Sequence, residues 1–215
     1  MRRRSKIFYF FILIFISITL GFIVNPDMDD AIVEKYEKVE NWFMPDSIQE
    51  ILTVVAEAFP EIEDEKIIVK NSSIKTTMNV RPTIFSLIFN KRENRKYILR
   101  INNSEKGESV FYKDVPEDAR IGLLAHEMMH IVDFSERSFW GVLKRGIQYL
   151  YLKGKAKYES EIDQMVIDIG LGEYLHSWSD YVLNHSEATE DYKDFKRTIY
   201  LTPNEIEDRL GFVLD

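Results

Sequence analysis

The stretch "LLAHEMMHIVD" places His126 and His130 four residues apart, with Glu127 directly after the first. On a helix, side chains four apart project from one face. Two imidazoles one turn apart can both reach a single zinc ion. Glu127 is not positioned to join them as a ligand. It can instead reach the water that a metal activates and act as a general base. Leu123, Leu124, Ala125, Met128, Met129, Ile131 and Val132 surround the three residues, so the helix is expected to be buried nearly all round. Two histidines and a glutamate buried side by side without partners are costly, and a metal ion accounts for all three at once. The rival reading is a core helix whose histidines are satisfied by ordinary hydrogen bonds.

A catalytic zinc usually keeps three protein ligands and one open position. The chain has four histidines and no cysteine, which excludes disulfides, thiolate ligands and a cysteine nucleophile. The third ligand must then come from histidine or a carboxylate. "KAKYESEIDQMVIDIG" offers Glu159 and Asp163, four apart on a predicted second helix. Glu159 is the candidate ligand. Asp163 can accept a hydrogen bond from the far ring nitrogen of a ligand histidine and so fix its tautomer. Glu161 is a rival, but it faces a different side of that helix from Glu159 and is not spaced four from an aspartate. Asp133, one turn past His130, is a further rival, as a ligand or as a partner of one.

His-Glu-x-x-His followed at a distance by Glu-x-x-x-Asp resembles the gluzincin zinc peptidases, the thermolysin-like group. The string "YESEID" is also similar to the Glu-x-x-Ala-Asp stretch of the HtpX-type membrane zinc peptidases, with Ile162 where those have alanine. The likeness covers roughly residues 110–170. It implies zinc held by His126, His130 and Glu159, Glu127 as the base, and Asp163 behind a ligand histidine. It also implies a sheet whose edge strand lines the cleft and binds extended peptide by strand addition. Enzymes of this kind often place a His or Tyr where it stabilises the oxyanion of the tetrahedral intermediate. His176, in "GEYLHSWSDY", is the better candidate for that role here, with Tyr174 and Tyr158 as others. The metzincin pattern is not supported, since it wants Gly at 133 and His at 136, where this chain has Asp133 and Glu136.

These residues need elements to position them. "DVPE" (114–117) offers Asp114 as an N-cap, with Pro116 in the first turn of the helix that carries His126. "TPNE" (202–205) does the same for a last short helix. Upstream, "KIIVK" (66–70), "TIFSLIF" (83–89) and "KYILRIN" (96–102) are β-branched and aromatic runs, and the polar "NKREN" suggests a hairpin between the last two. "SVFYKD" (109–114) is a possible further strand. "DSIQEILTVVAEAFP" predicts an amphipathic helix ending before Pro60, and "DDAIVEKYEKVENWF" has helical spacing. The aromatic-rich "SFWGVLKRGIQYLYLKG" (138–154) is expected to be core, with a membrane face or a substrate pocket as alternatives. Strands first and helices after is an α+β pattern.

The first 24 residues stand apart. "MRRRSK" carries four positive charges, and 18 uncharged, mostly apolar residues follow from Ile7 to Val24. As a helix they reach about 27 Å, near the thickness of a hydrocarbon core. Basic residues precede the stretch, and Asp27, Asp29 and Asp30 follow it. The positive-inside rule then keeps the N-terminus cytoplasmic and places the remaining chain outside. The exit near Thr19 and Gly21 is a poor cleavage site, so an uncleaved anchor is expected, and secretion after cleavage is the alternative. Residues 25–215 hold 24 basic against 36 acidic side chains, a net of −12. Nucleic-acid binding needs the opposite sign.

The sequence therefore predicts a cytoplasmic basic segment (1–6), a transmembrane anchor (7–24), a helical stalk (25–60) and an α+β zincin-like domain (61–215). The expected activity is Zn2+-dependent peptide hydrolysis on a peptide or protein substrate. The alternative is a catalytically inactive zincin-like binding or structural module.

Overall fold

The structure, a computed structural model, describes residues 37–39, 42–44, 46–102 and 109–211. The expected basic segment, the anchor and the stalk up to Tyr36 lie outside the described residues. Among the described residues, no helix is long and apolar enough to cross a membrane.

The described chain is α+β, with its strands in the first half and most of its helices in the second. The centre is a three-stranded mixed sheet. Strands β3 (Lys66–Ser72) and β5 (Lys96–Asn102) run parallel, from Lys66 opposite Lys96 to Ser72 opposite Asn102. Strand β4 (Met78–Pro82) pairs antiparallel with β5 at the outer edge. Its burial alternates, with Met78, Val80 and Pro82 turned inward, as a half-covered strand requires. On the other side β2 (Trp42–Met44) lies parallel to β3, and β1 (Glu37–Val39) lies antiparallel to β2. Residues 37–39 and 42–44 were expected to continue a helical stalk. They are strands because β3 offers an open edge with which Trp42 and Phe43 pair, opposite Ile67 and Ile68.

The predicted hairpin of 83–89 with 96–102 is replaced by a different solution. Residues Ile84–Phe89 form helix α2, which follows α1 (Asp46–Ala56) in chain order. Thr83 caps α2 through its side chain, which accepts from the Ser86 amide at 3.3 Å. Ser86 Oγ in turn donates to the Lys96 carbonyl and accepts from the Lys96 amide. Phe85 and Phe89 then meet as an i, i+4 pair, with ring centroids 4.9 Å apart. The antiparallel place beside β5 is already taken by β4. Tyr112–Asp114 is likewise a 3-10 turn rather than part of a strand.

Helix α3 (Glu117–Glu136) is the centrepiece. Every residue from Gly122 to Phe134 is buried, as its apolar surroundings predicted. Asp114 does not cap it. Pro116 occupies the cap position with no side-chain hydrogen bond, and Glu117 and Asp118 place negative charge in the first turn. The helix packs against β4 on one side and against α6 (Gly172–Asp180) on another. A Cβ added at Gly122 would lie 1.9 Å from the Tyr174 carbonyl oxygen. That neighbour is backbone and cannot rotate away. Gly122→Ala is therefore expected to cost about 3 kcal/mol, the upper end for overpacking. Urea denaturation measures it, and a cost near zero would mean that α3 and α6 slide apart freely.

Helices α4 (Phe139–Gln148) and α5 (Leu152–Val166) follow α3. A wide π-helical turn with Gly170 at φ +87° joins α5 to α6, a backbone conformation that favours glycine. Helix α7 (Glu190–Ile199) packs on α5, and α8 (Pro203–Leu210) is the last helix among the described residues. The predicted Thr202–Glu205 capping box is present on α8 in both directions.

Candidate metal centre

Helix α3 presents His126 and His130 on one face, and α5 presents Glu159 and Asp163 toward them. Glu159 Oε2 lies 3.2 Å from His126 Nε2 and 3.2 Å from His130 Nε2. The two Nε2 atoms are 3.1 Å apart. All three residues are buried, and they form a group that could hold a metal ion. Ligands about 2.0–2.1 Å from one tetrahedral zinc sit about 3.4 Å from each other. The observed triangle is close to that size, so the donor set fits such an ion.

The far sides of both rings are fixed. His126 Nδ1 lies 2.7 Å from Asp163 Oδ1, whose other oxygen accepts from the Leu201 amide at 3.0 Å. His130 Nδ1 lies 3.2 Å from the Tyr158 hydroxyl, which itself donates to Asp133 Oδ2 at 3.1 Å. With that hydroxyl proton committed to Asp133, the Tyr158 oxygen is left to accept from His130. Asp163 can only accept. Both rings thus carry their proton on Nδ1 and turn an Nε2 lone pair toward Glu159. With both rings neutral, two lone pairs and a carboxylate oxygen converge on one point. The electrostatics favour a cation or a proton at that point. Burial disfavours a charged His126, yet Asp163 and Glu159 overcome it and raise its pKa to about 10. Burial likewise opposes charge on Glu159, but His130 and His126 hold it well below the usual carboxylate range. The pocket calls for positive charge at its centre.

Glu127 is also buried. Burial raises its pKa, and the neighbouring His130 and His126 oppose the rise. Unlike Glu159 and Asp163, its carboxylate has no hydrogen-bond partner among the described residues. Both its oxygens are left to receive one.

Asp133 is not part of this group. Arg137 Nη2 and Arg145 Nη2 reach its Oδ1 at 2.5 and 3.0 Å. Burial works against its charge, but those hydrogen bonds hold its pKa below the usual value. Its work is to orient Tyr158, and through Tyr158, His130. Breaking a buried pair by removing one partner is strongly destabilising, so Asp133→Ala is expected to cost about 3–5 kcal/mol. Because the folded pKa is depressed, this contribution is complete above about pH 4 and is lost as pH falls through the folded value. The stability gap between wild type and variant should therefore close on acidification. A gap unchanged down to pH 2 would remove Asp133's charge from the explanation.

Glu161, the other rival ligand, points elsewhere and accepts from Arg145 Nη1 at 2.6 Å. His176 is not brought to the triad. Its Nε2 lies 2.9 Å from Glu207 on α8, so the expected oxyanion role finds no support in its contacts. Tyr174 contributes backbone packing at Gly122, and Tyr158 lies behind His130. His185 is exposed and pairs with Asp180.

Sequence reasoning missed two aromatic neighbours. Tyr149 donates its hydroxyl to Glu159 Oε1. The Tyr200 ring packs edge-on to His126 at 5.5 Å, with Lys196 Nζ 3.9 Å from its own centroid. Burial, with Glu159 close by, raises both phenols far above their usual pKa, so each remains an O–H donor. Tyr149 sits in the conspicuous "QYLYL" run, but nothing in the sequence marked Tyr200. A narrow cavity runs beside the centre, lined by His126, Asp163, Trp178, Lys196 and Tyr200.

No protein-family model, curated protein or solved structure matches this chain. The class it can be given is thus the one its own geometry defines, an α+β domain with a buried His126–His130–Glu159 group and an unpaired carboxylate beside it.

Proposed function

We propose that the chain is a zinc-dependent peptidase, anchored to the membrane by its N-terminal apolar segment with the domain on the extracytoplasmic side. The observation that carries this reading is the convergence of two Nε2 lone pairs and Glu159 beside a buried Glu127 that has no partner. Two imidazoles and one carboxylate suit zinc. When bound there, the ion supplies a Lewis acid that makes water more acidic and polarises the scissile carbonyl.

The chain's own residues supply the rest. Glu127 accepts a proton from the attacking water as its oxygen bonds to the carbonyl carbon. It holds that proton until the carbon–nitrogen bond breaks, and the leaving amine then takes it. Asp163 and the Tyr158–Asp133 pair keep the imidazoles aimed during both steps. Tyr200, whose ring packs on His126 and whose hydroxyl stays protonated, replaces His176 as the candidate donor to the developing oxyanion. Strand β4, at the sheet edge and packed on α3, offers a backbone ladder for an extended peptide. This agrees with the gluzincin likeness of the two motifs.

The test is hydrolysis of an unstructured polypeptide by the purified chain. A chelator is expected to abolish it, and one equivalent of zinc to restore it. A chain that binds one zinc yet cleaves nothing across a broad peptide library would favour the inactive binding module instead.

A further inference from the structure

The segment 138–154 was expected to be core, and it is not. Trp140 is 72% exposed, Leu150 75% and Leu152 58%. Trp140, Lys144 and Ile147 are spaced i, i+4, i+7 and share the outer face of α4. Of the eleven large apolar side chains exposed among the described residues, nine fall in 85–89 or 140–152. The two stretches are tied together at the C-terminal end of α3. Arg92, just beyond α2, donates to the Glu136 carbonyl at 3.1 Å, and Arg95 donates to the carbonyls of Phe134 and Arg137. Phe85 and Phe89, at 71% and 70% exposure, thus belong to the same end of the domain as α4.

Within the segment from α4 into the start of α5 the charge is of one sign, with Glu93 and Glu136 exposed beside it. Residues 137–158 contain six basic side chains and no acidic one, in a chain of net charge −8. Arg137 and Arg145 are occupied by Asp133. Lys144 and Lys153 are exposed and have no partner among the described residues.

We propose that this surface, α4 with the turn into α5 and the adjoining Phe85–Phe89 helix, docks on an anionic lipid bilayer. Exposed Trp, Phe and Leu rimmed by lysine is the composition of an interfacial segment. A second copy of the chain would set lysines against lysines, which disfavours self-association through this face. The lipid is also at hand. Thirteen residue-to-residue steps lead from Val24, the end of the apolar N-terminal stretch, to Glu37 at the start of β1. Even fully extended they span no more than about 47 Å, so a weak surface contact is strengthened by tethering. Tyr149 belongs to this surface and touches Glu159, so docking brings the candidate metal centre to the bilayer. The proposal does not depend on catalysis.

The absence of cysteine gives a direct test. Leu150→Cys introduces a single thiol for a spin label in the full-length chain, at a position too exposed to disturb packing. Asp118→Cys, at the other end of α3 and about 28 Å from Arg137 by helix rise, is the control. Both are reconstituted in vesicles of phosphatidylcholine alone, or with a minority of phosphatidylglycerol. In the anionic vesicles the 150 label should become shielded from a water-soluble nickel relaxant and accessible to oxygen, while the 118 label stays in water. Adding Lys144→Gln and Lys153→Gln should weaken docking by about 30-fold, each basic residue near the surface contributing about fivefold. Equal nickel access at both positions in both lipids would overturn the proposal. So would shielding that comes with dipolar broadening between labels, which would mean chain–chain contact. Shielding indifferent to lipid charge and to both lysines would overturn the anionic specificity.

Discussion

Glu127→Gln is expected to leave about one zinc per chain and to lower peptide turnover by about 10²–10⁴-fold, the span of a lost general acid–base. The expectation rests on two features that occur together. Glu127 is close to both histidines of the candidate centre, yet it is bonded to nothing among the described residues. A structural site has no use for a buried, unpaired carboxylate, which costs free energy to keep. The same variant should be at least as stable as wild type in thermal melts, because a neutral amide is cheaper to bury. Loss of metal from Glu127→Gln would make Glu127 a ligand and reverse the role assignment. Full activity would remove it from the chemistry.

The second large effect is Glu159→Ala. Removing an outer partner of a metal ligand costs about 10–100-fold in affinity, and losing a ligand atom itself should exceed that. Metal content of the purified chain, wild type beside variant, measures it. The alternatives that the sequence left open are closed by their surroundings. Asp133 is held by two arginines and Tyr158, and Glu161 by Arg145. Zinc retained in the Glu159 variant would therefore contradict the triad rather than shift it to a neighbour. If zinc is lost and activity goes with it, while Glu127→Gln loses activity alone, ligand and base are separated by experiment.

Much of the centre was legible in the sequence because its geometry is local. Residues four apart on a helix share a face whatever the fold, so His126 with His130, and Glu159 with Asp163, are paired before any tertiary contact forms. Burial of the first helix followed from its unbroken apolar surroundings, and the Thr202–Glu205 box from residues three apart. The order of strands before helices placed the chain in the α+β class for the same reason.

What failed was decided by neighbours distant in sequence. Residues 83–89 have strand-like composition, but the Thr83 cap and the Ser86 bonds to Lys96 turn them into a helix once β4 has taken the edge of β5. Trp42 and Phe43 follow a helical spacing locally and pair with β3 because an open strand edge outweighs a weak local preference. The aromatic run after Ser138 has the content of a core segment, and only packing reveals that Arg145 faces inward while Trp140 and Leu150 face out. Tyr149 and Tyr200 reach the centre from ten residues before Glu159 and from beyond α7, separations that no short-range pattern encodes. The sequence by itself determined which side chains could meet a metal, because a helix turn sets their spacing. The tertiary structure decided which carboxylate lies beside the two histidines, because that depends on which acids the arginines have already claimed.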